Sequence, residues 1–181
     1  MCTCTEIVSG KIISNERGVL MSKYSYDSNS GDYLTPPSLI SELLNELGRD
    51  RFDCDVCCSK GNIPASSHFT LDGFYVSGIK LGVVNGLEGG WSPLNWMNPP
   101  FNQCAKWIKK AYEEQQNGNT TYSILPVRTE TKYWHDYILF NPDVEIRWLK
   151  KGLKFLAPDT EEEMGVFKNA LAVVIFKGKS K

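Results

Sequence analysis

The chain of 181 residues has only two histidines, and it lacks any apolar run close to the roughly 20 residues that span a membrane. Its N-terminus lacks a basic start followed by an apolar core, so the sequence predicts no secretory signal. The net charge is only −1, so overall charge does not indicate a nucleic-acid-binding protein. These absences leave a cytoplasmic globular protein as the expectation, and 41% hydrophobic residues are enough for a core.

The six cysteines do not have the paired pattern of a zinc site. Cys54 and Cys57 have the spacing of half such a site, but no second Cys or His pair follows at ligand spacing. In a reducing compartment we expect free thiols. The sequence therefore predicts no metal centre, and small buried side chains at and after a strand.

Residues 1–31 differ from the rest of the chain, because they are rich in Ser, Asn and Gly and show little hydrophobic periodicity. We expect a flexible N-terminal segment there, followed by one folded domain over residues 32–181.

Helical and strand-like segments alternate within that domain. Three segments have the periodicity of helices: 39–47, with Thr35 as the expected N-cap, 103–117 and 130–140. Six are expected to be strands: 51–58, 94–97, 120–125, 144–149, 152–156 and 170–176. Residues 59–93 are expected to be a loop that carries function or hides short elements. This order predicts an α/β domain with a mostly parallel sheet and a C-terminal antiparallel hairpin.

The tetrapeptide Asn98-Pro99-Pro100-Phe101 lies between a predicted strand and a predicted helix, where ligands bind in open α/β sheets. An Asn side-chain oxygen and a neighbouring carbonyl, held by stiff prolines, can accept the two hydrogens of a planar amino group. They would also stabilise positive charge developing on the nitrogen, and Phe101 could stack on a nucleobase. Taken alone, the tetrapeptide is equally consistent with a proline turn.

The surrounding sequence resembles the phage-type DNA N6-adenine methyltransferases, relatives of Dam, from about Tyr33 to Phe176. The resemblance rests on an ordered set of segments: Leu34-Thr35-Pro36-Pro37, Phe52-Asp53-Cys54-Asp55-Val56-Cys57, Asp72-Gly73, Asn98-Pro99-Pro100-Phe101, Leu125-Pro126-Val127-Arg128-Thr129-Glu130-Thr131 and Gly152-Leu153-Lys154-Phe155. It implies a Rossmann-like methyltransferase fold and transfer of a methyl group from S-adenosylmethionine to adenine in double-stranded DNA. The catalytic residues it implies are Asn98, Pro99, Pro100 and Phe101.

The resemblance also implies the cofactor contacts, which would come from Thr35, Pro36, Asp55, Cys57 and Asp72. Asp55 would receive the ammonium group of S-adenosylmethionine, with Asp53 as the competitor for that role. Helix capping is the alternative for Thr35 and Pro36, and a simple turn is the alternative for Asp72. The loop after Asp55 departs from the general methyltransferase pattern, because it lacks closely spaced glycines.

Basic residues outnumber acidic ones in the second half of the chain, which permits a face toward DNA. Arg128 could clamp a phosphate, and the expected backbone contacts come from a C-terminal cluster of Arg147, Lys150, Lys151 and Lys154. A solvated charged surface is the alternative. The resemblance further suggests that the methylated sequence is GATC and that methylation protects a phage genome from host restriction. We also expect the protein to be a monomer or a weak dimer.

Two other functions remain open. Asn-Pro-Pro-aromatic motifs also serve methyltransferases that act on RNA adenine or on a protein glutamine amide. The chain could instead be a non-catalytic DNA- or partner-binding protein on a degenerate methyltransferase scaffold. The missing glycine-rich loop and the run from Leu125 to Thr131 favour DNA, and the intact tetrapeptide argues against loss of catalysis.

Overall fold

The computed structural model describes residues 33–59, 61–150, 152–157 and 160–180. Its strands are β1 (Phe52–Asp55), β2 (Ala65–Thr70), β3 (Gly73–Val76), β4 (Ile79–Gly82), β5 (Leu94–Met97), β6 (Thr120–Pro126), β7 (Val144–Trp148) and β8 (Leu171–Phe176). Its helices are α1 (Pro37–Leu47), α2 (Cys104–Gln116) and α3 (Lys132–Trp134), which continues as a π-helix (His135–Leu139). The expected flexible segment 1–31 lies outside the described residues.

The eight strands form one mixed sheet in the order β4-β3-β2-β1-β5-β6-β8-β7. The central strands β2, β1, β5 and β6 pair in parallel. Every pairing toward the two edges is antiparallel. The predicted α/β class is therefore confirmed, but a mostly parallel sheet is correct only for the centre and wrong for the edges. Strands β7 and β8 pair in antiparallel fashion as expected, although residues 149–170 connect them instead of a tight turn.

The region 59–93, expected to be a loop, contains strands β2, β3 and β4. These strands were hidden because they are short, and the outer one exposes its apolar residues, with Ile79 at 66% and Leu81 at 63% exposed. The turn between β3 and β4 is Ser77-Gly78, with φ angles of 49° and 81°. Two successive residues with positive φ suit the two-residue turn of a hairpin, and Gly at the second position is the sequence signal for it.

The predicted strand over residues 152–156 is wrong, because only Leu156 forms β-bridges there, and these are isolated. The N–H of Leu156 donates to the Leu34 carbonyl at 2.9 Å, and the Leu34 N–H donates to the Leu156 carbonyl at 3.0 Å. Phe155 is 1% exposed. The apolar residues of this segment therefore pack into the core without joining the sheet, while Leu156 fixes the chain just before α1.

The helices lie where hydrophobic periodicity predicts them. Helix α1 buries Leu39, Ile40, Leu43 and Leu44, and it ends at Gly48, whose φ of 63° favours glycine. Thr35 is not its N-cap, because Pro36 occupies that position and no side chain caps the helix. The third predicted helix is found as α3 and the π-helix. None of the helices within the described ranges has the length and hydropathy required to cross a bilayer.

Gly86 marks a close approach between the chain leaving β4 and the chain leaving β1. A Cβ atom at Gly86 would lie 1.9 Å from the Val56 carbonyl oxygen and 3.1 Å from the Trp107 ring. We expect Gly86→Ala to lower the free energy of unfolding by about 2 kcal/mol, because backbone must shift to admit the methyl group. Urea unfolding measures this. Gly90→Ala is the matched control, since nothing lies within 4 Å of its Cβ position; equal stabilities for the two variants would contradict the prediction.

Candidate functional site

The carboxyl ends of β1 and β5 bring two polar side chains to one edge of the sheet. The strands pair in parallel with Asp55 opposite Trp96. The Val56 N–H continues this pairing by donating to the Trp96 carbonyl at 3.0 Å. Asp55 ends β1, and Asn98 follows directly after β5. The two residues therefore lie where open α/β sheets bind ligands.

A narrow cleft opens at this edge, with a free volume of about 20 Å³. Four of the expected site residues line it: Thr35, Asp55, Cys57 and Asn98. The other residues of its wall are Tyr33, Leu34, Ser59, Asn62, Ile63 and Trp96. The sequence motifs at 34–37, 52–57 and 98–101 thus meet in space, although Pro36 does not line the cleft.

The Asn98 side-chain amide is held in one orientation. Its Nδ2 donates to the Tyr33 carbonyl oxygen and, at 3.1 Å, to the Thr35 hydroxyl oxygen. Because a backbone carbonyl can only accept, the nitrogen must face Tyr33. No described residue donates a hydrogen bond to Asn98 Oδ1, so this oxygen remains available as an acceptor.

The two prolines of the tetrapeptide differ in what their carbonyls do. The Pro100 carbonyl accepts the Gln103 N–H at 2.8 Å, at the entry to α2. In the described ranges no donor reaches the Pro99 carbonyl. Two acceptors on consecutive residues, Asn98 Oδ1 and the Pro99 carbonyl, are thus left without hydrogens. Each of the two can accept one hydrogen of a primary amine.

Phe101 lies in an aromatic cluster and is only 6% exposed. Its ring centroid is 5.5 Å from that of Tyr33, 5.9 Å from Phe155 and 5.3 Å from Phe167. The expected stacking face is therefore covered by other rings in this structure. Tyr33 connects this aromatic cluster to the cleft, and it also lines a second, open cavity of about 330 Å³ together with Phe155 and Phe167.

Asp55 is a buried acid without a cationic partner in the described part of the chain. It is 3% exposed, and burial raises the pKa of its carboxyl to about 7, against the opposing hydrogen bond from the Cys57 N–H. The indole Nε1 of Trp96, another residue of the cleft wall, is buried without a hydrogen-bond partner. Among the described residues, the cleft wall thus contains a buried carboxyl group without a cation and a tryptophan whose indole N–H lacks an acceptor.

Asp53, the competitor for the role of Asp55, is engaged elsewhere. Its carboxylate forms an ion pair with Arg49 at 2.5 Å and accepts the Leu94 N–H at 3.0 Å. It does not line the cleft. Asp53 therefore tethers β1 to the start of β5, whereas Asp55 faces the cleft.

Asp72 is likewise engaged at a turn and is not part of the cleft wall. It accepts hydrogen bonds from the Thr70 hydroxyl at 2.6 Å and the Tyr75 hydroxyl at 2.8 Å, and it pairs with Lys80 at 3.3 Å. These contacts tie β2, β3 and β4 together. The geometry therefore fits the alternative of a turn residue better than a cofactor contact.

The thiols differ in burial. Cys54 and Cys104 are buried, and burial raises the pKa of their thiols to about 12 and about 11. Cys57 is half-buried in the cleft wall. The thiols of Cys54 and Cys104 therefore stay protonated and act as small core side chains, as the sequence suggests.

Two of the four residues in the expected basic cluster are paired with carboxylates. Arg147 bonds to Glu46 and, at 2.6 Å, to Glu145, and Lys154 pairs with Glu163 at 2.9 Å. Lys151 lies outside the described residues, while Lys150 is exposed. Arg128, like Lys150, forms no ion pair with a carboxylate in the described ranges.

Sequence reasoning missed several residues of the site, above all Tyr33, Trp96 and Phe167. Tyr33 directly precedes a motif that was identified, so its position was a usable signal. Trp96 was assigned only to a strand. Phe167 lies in an irregular stretch without periodicity, and no sequence signal places it beside Phe101.

Comparison with known proteins adds one finding. The family model described as DNA N-6-adenine-methyltransferase (Dam) matches residues 24–180. That range includes every residue of the cleft wall and of the aromatic cluster. No curated protein and no solved structure matches the chain.

The raised pKa of Asp55 predicts how stability depends on pH in the absence of ligands. The folded chain binds this proton more tightly than the unfolded chain, in which an Asp pKa is about 3.9. The free energy of unfolding should therefore fall as pH rises from about 4 to about 7. Asp55→Asn removes the cost of ionising a buried carboxyl, so at about pH 8 the variant should be more stable than the natural chain by up to about 4 kcal/mol.

Urea unfolding at several pH values measures this difference, which should vanish below about pH 3, where the carboxyl is protonated in both states. Asp53→Asn is the control. It loses the ion pair with Arg49 and should gain no stability at high pH. Parallel pH profiles for Asp55→Asn and the natural chain would contradict the prediction.

Proposed function

Since the chain belongs to the DNA N-6-adenine-methyltransferase (Dam) family, we propose that it transfers a methyl group from S-adenosylmethionine to the N6 amine of adenine in double-stranded DNA. The observation that carries this proposal is the pair of acceptors, Asn98 Oδ1 and the Pro99 carbonyl, to which no described residue donates a hydrogen bond. We propose a Rossmann-like methyltransferase fold around them, and a cytoplasmic monomer or weak dimer.

The chemistry explains why two acceptors are needed. The N6 lone pair of adenine is delocalised into the ring, so the amine is a poor nucleophile. When Asn98 Oδ1 and the Pro99 carbonyl each accept one N6 hydrogen, they hold the nitrogen in place and aim its lone pair away from the ring plane. They also stabilise the positive charge that develops on nitrogen during transfer. S-adenosylmethionine, when bound, supplies an electrophilic methyl group on a sulfonium sulfur.

The chemistry of the cleft wall fits this cofactor. Asp55 would receive its ammonium group, which explains a buried carboxyl that has no cation. The Trp96 Nε1 would donate to one of its acceptors, because a buried donor without a partner is costly. Thr35 and Cys57 line the same cleft. Pro36 and Asp72 do not, and the proposal does not depend on them.

Cofactor entry requires the cleft to widen. Its free volume of about 20 Å³ is far smaller than a nucleoside. Much of one wall is formed by the chain after β1, through Cys57, Ser59, Asn62 and Ile63. Cys57 and Ser59 lie outside helices and strands, so we propose that the cleft widens there while Asn62 keeps its hydrogen bond to the Thr35 carbonyl.

The nature of the acceptor rests on the family rather than on geometry. Two carbonyl-type acceptors would fit any planar primary amine, including RNA adenine and a protein glutamine amide. The family description names DNA adenine, so we propose DNA as the substrate and GATC as the first sequence to test. A phage origin and protection from host restriction would agree with that activity.

In the decisive experiment, the protein is incubated with radiolabelled S-adenosylmethionine and with duplex DNA, RNA or protein as the methyl acceptor. We expect label in adenine of the DNA. Asn98→Ala should lower the rate by at least about 100-fold, because it removes one acceptor at the developing charge. It should leave cofactor affinity, measured by calorimetry, within about twofold, since Asn98 only borders the ammonium site.

Asn102→Ala is the matched control, because Asn102 is exposed four positions along and touches none of the acceptors; it should retain the natural rate. If label is found only in RNA or only in protein, that molecule and not DNA is the substrate. A protein that binds no cofactor would support the non-catalytic alternative.

Arg128 is the basic residue best suited to a DNA phosphate, because it follows β6 at the ligand-binding edge and has no carboxylate partner among described residues. We expect Arg128→Gln to weaken DNA binding several-fold and to reduce the slope of log affinity against log salt by about 1. Arg147→Gln is the control, since Glu46 and Glu145 already neutralise that guanidinium. Fluorescence anisotropy across salt concentrations measures both, and equal effects would contradict the assignment.

A further inference from the structure

We propose that Thr35 is a positioning residue: its hydroxyl holds the Asn98 amide so that only the acceptor oxygen faces the substrate. This inference rests on the proposed function, and it assigns Thr35 a role different from helix capping or cofactor contact. It deepens the proposal by identifying why the site selects a substrate group that donates hydrogen bonds, such as an amine.

The hydrogen bonds of Asn98 carry the inference. Its Nδ2 carries two hydrogens and donates to two acceptors, the Tyr33 carbonyl and, at 3.1 Å, the Thr35 hydroxyl oxygen. A half-turn of the amide would place Oδ1 against the Tyr33 carbonyl, where two acceptors repel. Thr35 takes the second hydrogen, so the amide plane is fixed at two points instead of one.

The segment that carries Thr35 is itself held firmly. Leu34 exchanges two backbone hydrogen bonds with Leu156, at 3.0 and 2.9 Å. Asn62 Nδ2 donates to the Thr35 carbonyl at 3.4 Å. Thr35 is 1% exposed, and α1 begins two residues later. A support this rigid can orient a side chain more than sixty positions away in sequence.

The alternative roles of Thr35 make different predictions. Capping is not observed, because no side chain caps α1. A cofactor contact would make substitution weaken cofactor binding. A positioning role instead predicts slower methyl transfer at saturating cofactor and DNA, with unchanged cofactor affinity, because only the alignment of Asn98 is lost.

The test compares Thr35→Val, which keeps the shape of the side chain but removes the hydroxyl, with Thr35→Ser, which keeps the hydroxyl. We expect Thr35→Val to lower kcat about tenfold, the effect of losing one hydrogen bond to a buried polar group. Cofactor affinity should stay within about twofold. Thr35→Ser should recover most of the rate, and thermal unfolding of both variants should remain close to that of the natural chain.

A second measurement does not depend on activity. In nitrogen-15 NMR, the Asn98 side-chain amide signal is identified by its loss in Asn98→Ala. Its hydrogens should exchange slowly with water in the natural chain and in Thr35→Ser, and faster in Thr35→Val. Should Thr35→Val fail to fold, Thr35→Ala replaces it, with the same expectations for exchange and rate.

The outcomes separate this inference from the proposed function. A natural chain that methylates no acceptor overturns the function, and the NMR comparison then decides on Thr35 alone. An active natural chain with an unchanged kcat in Thr35→Val overturns the positioning role. Weaker cofactor binding with unchanged kcat would instead assign Thr35 to the cofactor, and unchanged amide exchange in Thr35→Val would also overturn the inference.

Discussion

The parallel pairing of β1 with β5 is the constraint on which the site depends. It places Asp55 opposite Trp96 and thereby brings the end of β1 beside the start of the Asn98 tetrapeptide. This register is costly to change, because a slip of one residue would move every side chain of β5 to the opposite face of the sheet, and all four are buried. The segment before α1 then closes the cleft from one side, tied to Leu156 and to Asn98.

Much of the fold could be predicted because its central elements carry strong hydrophobic signals. Strand β5 has the bounds expected from sequence, and α2 differs by one residue at each end. The strands β2 to β4 could not be found by the same rule, since β3 and β4 are only four residues long and β4 has no buried residue. Residues 152–156 were wrongly predicted as a strand for the opposite reason: Phe155 is buried, yet only Leu156 forms β-bridges there.

The site was predictable in its residue types but not in its partners. The positions of Asn98 and Asp55 at the ends of strands indicate a functional site from the sequence alone. The hydrogen bond between the Thr35 hydroxyl and Asn98 cannot be predicted in this way, because it forms only when tertiary structure brings distant segments together. The basic cluster shows the same limit. The sequence gives the positive charge of Arg147, but it does not show that Glu46 and Glu145 lie beside that residue. Charge counted along a chain therefore overstates the charge that a phosphate would meet.

Unsatisfied polar groups identify a site only when they occur together. The indoles of Trp96 and Trp134 both lack a hydrogen-bond partner, and both are fully buried. Trp134 does not line the cleft, so its missing partner by itself indicates no ligand. Trp96 borders a buried carboxyl without a cation and lies two residues before an amide whose oxygen has no donor. The Trp96 indole N–H costs stability while it lacks an acceptor, and a ligand bearing a cation, an acceptor and an adjacent amine could pair with all three groups together. Their convergence at one strand edge is therefore stronger support for catalysis than any one of them.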